Sequence, residues 1–234
     1  MFKYRFIIYL LFALVISSQS VSYAQDNNPR TLNVNGRGEV KARPDVAFLN
    51  ISVISKAKSA QAALQDNANK TTNVLNKIKS LIGKQDTVET SGFNLSPVYD
   101  YNQSTKKSEL TGYSVSNDLI IKTVDLDNLG NLIDSTTSVG ANRINGPRFD
   151  IIDKNKYRKE ALRLAVKDAK DTATVTAEAA GVSIVRIMQL NPSYNTPQPL
   201  YARSMKVASD QGSTPIEAGD ITVSANVNIT FQIQ

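Results

Sequence analysis

The sequence holds no cysteine and no histidine, and each absence removes a class of chemistry. Without cysteine there are no disulfides, no thiolate nucleophile and no lipid-modified cysteine at an export site. Without histidine the commonest general base and the commonest transition-metal ligand are missing as well. A serine hydrolase of the usual kind has no base here, and no catalytic residue, cofactor or metal site is expected. Past the first residues only Met188 and Met205 carry sulfur, so redox chemistry is unsupported. Beyond the N-terminus there is no apolar run long enough to span a membrane as a helix. Charge of one sign is scarce in excess: 27 Lys and Arg face 21 Asp and Glu, a net charge of +6. Such a surplus favours solubility and weak attraction to anionic surfaces, and no nucleic-acid partner is expected.

What is present begins with a leader. Lys3 and Arg5 precede an uncharged apolar core from Phe6 to Ile16, and Ser22-Tyr23-Ala24 offers small residues around a cleavage point. Basic, apolar and small-residue regions in that order are the pattern of a Sec-type signal peptide, expected over residues 1–24. The mature chain, residues 25–234, is then expected to work outside the cytoplasm, in the periplasm, with association at the outer membrane as a further expectation. Losing Lys3 and Arg5 leaves a charge of +4. With 41% hydrophobic and 21% charged residues the chain can build a true core. Lacking disulfides, it must draw stability from packing or oligomerisation.

The strongest strand signal is C-terminal. Ile221, Val223, Ala225, Val227, Ile229, Phe231 and Ile233 alternate with Thr222, Ser224, Asn226, Asn228, Thr230 and Gln232. Period-two alternation puts the apolar set on one sheet face and leaves a polar face opposite. Shorter alternations mark 49–53 and 113–121, and 31–40, 86–95, 147–153 and 183–190 are further strand candidates. Three helices are legible. The first runs from a Ser59 N-cap to Gly83, with Leu64, Ala68, Thr71, Leu75, Ile78 and Ile82 as its apolar stripe. The second is capped by Asp125, turns Leu126, Leu129, Leu132 and Ile133 inward and ends at Gly140. The third spans Lys154 to Ala180 with Gly181 as its stop. Residues 96–109 read as a loop joining two strands, and 191–216, with four prolines, as a long connection or projecting arm. The order of elements implies an α+β fold with antiparallel sheet packed by about three helices.

The third helix has two distinct sides. Ala161, Ala165, Ala169, Ala173 and Ala177 form a ridge of minimal height, along which a neighbour can approach closely. Lys156, Lys159, Arg163, Lys167 and Lys170 gather within roughly 80° on another side. With Glu160 and Asp171 nearby, that side reads as a solvated face, or as a surface for an anionic envelope component or acidic partner patch.

Motifs that invite chemistry fail on context. Gly36-Arg37-Gly38-Glu39 is followed by strand and not by the helix that a phosphate loop needs, so it reads as a turn or bulge between strands. Asp125-x-Asp127 with Gly130 opens like a calcium loop, but Leu129 and Thr136 stand where ligands belong. Ser55 and Lys58 have the spacing of a Ser-Lys pair but lie at a strand-to-helix junction, where capping suffices.

Taken together, several blocks resemble the SIMPL-domain family of YggE-like and periplasmic immunogenic envelope proteins. They are Gly36-Arg37-Gly38-Glu39 with Arg43-Pro44-Asp45-Val46-Ala47, Tyr113-Ser114-Val115-Ser116-Asn117, Gly140-Ala141-Asn142, Gly146-Pro147-x-Phe149, Glu160-Ala161-Leu162, and Thr214-Pro215-Ile216-Glu217-x-Gly219. The resemblance covers essentially the whole mature chain. It implies a homo-oligomeric envelope protein, ring-like or channel-like in some relatives, loosely tied to oxidative or envelope stress, and it supplies no catalytic residue. Two functions follow as expectations: a non-enzymatic envelope protein that assembles with itself, or a binding module that uses the basic face of the third helix.

Overall fold

The alternation of residues 221–233 builds the middle strand of a sheet. The computed structural model describes residues 29–194, 200–201 and 214–234. The expected leader and much of the expected 191–216 arm lie outside the described residues. Strands β1 (Thr31–Ala42), β2 (Val46–Ala57), β3 (Thr87–Asn102), β4 (Lys107–Thr123), β5 (Arg143–Asp150), β6 (Ile184–Tyr194), β7 (Leu200–Tyr201) and β8 (Ile221–Ile233) are joined by helices α1 (Ala60–Leu81), α2 (Leu129–Ser138) and α3 (Lys154–Ala180). They form two antiparallel sheets, β1-β8-β6 and β3-β4-β2-β5-β7, and the fold is α+β as expected.

In the first sheet the odd-numbered apolar residues of β8 from Ile221 to Phe231 are buried. The alanine ridge of α3 lies against them: all five alanines are buried, and Ala161, Ala165, Ala169 and Ala173 form one core with Val34, Ala225, Val227, Ile229 and Phe231. Asp153 caps the helix by accepting from the backbone N–H of Asn155 and Lys156, and Gly181 ends it in the left-handed conformation at φ 68°. The structure corrects the reading of Gly36 and Gly38. They form no turn and no bulge: β1 pairs with β8 without interruption from Thr31–Gln232 to Ala42–Ile221. Their role is space. A Cβ on Gly36 would run into the Ala165 carbonyl and lie 2.6 Å from the Ala169 Cβ; one on Gly38 would run into the Ala161 carbonyl and lie 2.5 Å from the Ala165 nitrogen. Alanine on one side and glycine on the other bring helix and strand to backbone contact. The Arg37 N–H then reaches the Asp168 carboxylate at 2.8 Å.

In the second sheet β2 lies at the centre, and Leu49, Ile51 and Val53 meet Leu119 and Ile121 of β4 beneath Val74 and Ile78 of α1. Ser59 caps α1 as expected. Of the expected stripe Thr71 and Ile78 are buried and Leu75 and Ile82 pack against the core, but its N-terminal part is displaced. Ala63, Asn67, Thr71, Val74 and Ile78 are buried, whereas Leu64 and Ala68 face solvent. The helix turns this way because Asn67 is buried and its amide donates to the carbonyls of Val53 at 2.7 Å and Val115 at 3.3 Å, pinning α1 to two strands. Two further corrections concern ends. Asp125 does not cap α2, which starts after Asn128 without a side-chain cap. Residues 96–109 are not a loop: β3 and β4 continue through them as a ribbon, with only the short turn after Asn102 connecting them. The Asn102 side chain accepts from the N–H of Ser104 and Thr105 and so closes that turn. β2 stops at Ala57, opposite Tyr113, so the ribbon projects beyond the body of the sheet.

Candidate interaction surface

Titration in this chain follows structural partners. Burial alone pushes the Asp150 carboxyl up. Hydrogen bonds from Lys154 and the Ile151 N–H, with the charges of Lys154 and Arg148, outweigh it and hold the carboxyl below its ordinary value. Asp150 thereby ties the end of β5 to the first turn of α3, and Arg148 in addition stacks 4.2 Å above the Phe48 ring. The hydrogen bond from Lys70 at 2.6 Å lowers the Asp66 carboxyl. Thr105 and then Asn102 lower Glu109 at the ribbon tip. Asp171 raises the Lys167 ammonium. Among the described residues no three acids, histidines or cysteines gather as a metal would require.

Three blocks of the family resemblance converge. Arg43 and Pro44, Phe149, and Ile216, Glu217 and Gly219 line one cleft of about 590 Å³ with Asp127 and Asp220. Segment 214–220 is held there by Thr214, which donates from both its N–H (3.0 Å) and its hydroxyl (2.6 Å) to the Asp134 carboxylate on α2. Leu126 and Ile216 pack on the small core of Ala47, Leu129 and Phe149. The shared residues thus join both sheets to the segment that leads into β8.

The five cations of α3 are all exposed on the side away from the buried alanines. Arg163 is paired with Glu160 at 3.0 Å and Lys167 with Asp171 at 2.8 Å. Lys156 lies 5.7 Å from the Tyr157 ring centre. Lys159 and Arg163 flank Leu162 and Val166 in a shallow depression of about 440 Å³. The face is therefore basic and amphipathic, with two of its charges already matched.

The signal that sequence reasoning missed is the position of β6. It pairs with β8 on one side and stands at the margin of the first sheet, so among the described residues its other side carries no partner strand. Register places Ile187 opposite Phe231, Leu190 opposite Ile229 and Tyr194 opposite Ala225, on the face that carries α3. The helix lies over β1 and β8, and Ile187, Leu190 and Tyr194 stay exposed, as do Val185 and Met188. Arg186 donates to Gln232 at 2.9 Å on the other face, which joins the polar rows of β8 and β1. A long apolar margin of this kind is what natural sheets ordinarily cover or charge. Nothing in residues 183–190 alone distinguishes a margin from a middle strand.

Comparison with known proteins adds the lineage. Residues 32–231 match the SIMPL family model, described as a protein of unknown function (DUF541). The chain is 32% identical over 227 residues to the 26 kDa periplasmic immunogenic protein of Brucella melitensis, covering 91% of this chain and 90% of that protein. Its counterpart in Brucella abortus is 31% identical over the same length. The uncharacterized protein YggE of Escherichia coli K12 is 26% identical over 204 residues, 85% of this chain and 81% of YggE.

Proposed function

The chain belongs to the SIMPL family, and from that premise we propose that it is an exported periplasmic protein that works by assembling with copies of itself and not by catalysis. The observation that carries this reading is the margin at β6, which among the described residues has no partner strand on its outer side: eleven residues of strand with exposed Val185, Ile187, Met188, Leu190 and Tyr194. A second copy can extend the sheet there and bury those side chains, by self-pairing or head to tail as in a closed ring. The relatives named periplasmic and the signal-like N-terminus support the location. Envelope or oxidative stress, implied by the family resemblance, is the physiological setting of the proposal. Outer-membrane association belongs to the same proposal.

Light scattering of the mature protein tests it. A mass that is a multiple of the chain, reduced by Ile187→Lys with Leu190→Lys at unchanged thermal stability, is the expected result. A monomer at every practical concentration would sink the reading. Deleting 195–212 should likewise lower the mass without unfolding the core if that segment adds to the contact.

The clustering of five exposed cations on α3 favours a second reading, contact with an anionic envelope component. Arg163→Glu with Lys167→Glu should then remove salt-sensitive binding to anionic vesicles or lipopolysaccharide. Binding that is unaffected disposes of it.

A further inference from the structure

The β3–β4 ribbon carries features that neither β6 nor the basic face uses. Register places Phe93, Leu95 and Pro97 opposite Asn117, Val115 and Tyr113, on the face of the second sheet that α1 covers. The shift between Val98 and Tyr99 is taken up at Thr111 on β4, so Tyr99 and Tyr101 continue the same face of β3 past the end of the helix. Phe93, Tyr99 and Tyr101 are 57%, 58% and 63% exposed. From Phe93 to Tyr101 the strip runs about 26 Å at roughly 3.3 Å per residue. The acids of the ribbon, Asp100 and Glu109, pair with each other in register on the opposite face.

Where the strip meets α1 a groove of about 370 Å³ opens between Leu64, Ala68 and Phe93, with the exposed amides of Gln61 and Gln65 at its rim and Asn117 and Asn67 deeper. No ionisable side chain lines it. The side-chain oxygen of Asn117 is buried and accepts no hydrogen bond. A buried acceptor left unpaired is costly, and turning the Asn117 side chain toward the groove it lines lets a ligand's N–H or O–H recover that cost. Asn67 spends its amide on two backbone carbonyls, so Asn117 is the group with capacity to spare.

The occupant these features fit is neutral, slender enough to place a donor in the groove, and long enough to lie across three open rings. We propose that this face binds a glycan chain of N-acetylated sugars, with an acetamido N–H or a hydroxyl on the Asn117 oxygen and the C–H faces of the sugars on Phe93, Tyr99 and Tyr101. An extended peptide is the competing occupant, because β3 is also a sheet margin. It would be recognised through the backbone groups of that margin and would leave the buried oxygen on the α1 side unused.

The probes are soluble N-acetylglucosamine tetramer and purified peptidoglycan sacculi, added to the mature protein. Of the nine tyrosines Tyr4, Tyr9 and Tyr23 lie in the expected leader, so the mature protein keeps six and no tryptophan, and its tyrosine emission includes Tyr99 and Tyr101. The expected result is a saturable change with the tetramer, weakened about tenfold or more by Phe93→Ala and by Tyr99→Ala with Tyr101→Ala. Backbone amide shifts at Phe93 and Asn117, followed by NMR, give the same readout where the tyrosines are removed. Asn117→Ala should weaken binding too, with thermal unfolding checked in parallel. Leu190→Lys on β6 should leave the affinity unchanged whatever it does to the mass in light scattering, which keeps this proposal separate from assembly. Co-sedimentation with sacculi that the tetramer competes away identifies the cell-wall polymer as the source; binding of the tetramer alone identifies a free oligosaccharide. No saturable response to either probe overturns the proposal. So does binding that survives the aromatic substitutions, or an equal response to an unrelated neutral peptide.

Discussion

Gly36 and Gly38 set how closely α3 approaches the first sheet, and they differ in kind from Gly181. At Gly36 the limit is space, since a Cβ would meet the backbone of Ala165 and the side chain of Ala169. At Gly181 the surroundings are open and the limit is the φ of 68°. Gly36→Ala should therefore cost on the order of 3 kcal/mol in urea unfolding, the range of an overpacked core. Gly181→Ala should cost only about 1 kcal/mol. Equal losses would show that strand glycine matters for its freedom and not for its size. The sequence displayed Gly36-Arg37-Gly38 plainly, but glycine most often signals a turn, and only the alanine ridge on the opposing helix gives it the other meaning. A second residue-scale effect concerns acid. The folded-state pKa of Asp150 lies below its ordinary value, so its pairing contributes fully above about pH 4 and is lost as the pH falls through the lowered value. Asp150→Asn should lower stability near neutrality by about 2 kcal/mol, the scale of a charged hydrogen bond. Unfolding curves of the two proteins between pH 7 and 3 should converge on the acid side; a constant gap would exclude the carboxylate as the cause.

At the scale of elements, legibility followed contrast between faces. β8 was readable because a buried apolar row alternates with a polar row over its whole length. α3 was readable because five alanines at a spacing of four have no other simple use. The β3–β4 ribbon was not, because both of its faces meet solvent beyond Tyr113 and no alternation of hydrophobicity marks it. In α1 the pattern misled. Leu64 and Ala68 fall on the expected apolar stripe, yet the start of the helix is oriented by a buried polar residue that no hydrophobic stripe would select. Replacing that residue measures how much it holds. Asn67→Ala removes the donors to Val53 and Val115 and is expected to cost about 2 kcal/mol in chemical denaturation. A neutral substitution would mean that apolar packing alone orients α1. For the candidate surfaces, the basic face was legible as residue spacing, whereas the β6 margin and the aromatic strip depend on strand order and register.

At the scale of the molecule the two sheets differ in how they are assembled from the chain. The core of the second comes from neighbouring segments, β2 through β5, whereas the first joins β1 to β8. Removing residues 221–234 should expose the amides of β1 and α3 to hydrogen exchange while those of β2 and β4 remain protected. Loss of protection throughout would show the two sheets to be one cooperative unit.

The pairing of β1 with β8 also carries a consequence in time. Thr230 donates to Asn33 across 197 residues of sequence, and the core on which α3 rests is complete only when β8 joins β1. A chain emerging from its N-terminus holds β1 without its mate until β8 has followed. The slow, high-contact-order step thereby waits on the emergence of β8. The strand that completes the first sheet thus acts as its timer, since the sheet can close only once β8 is available.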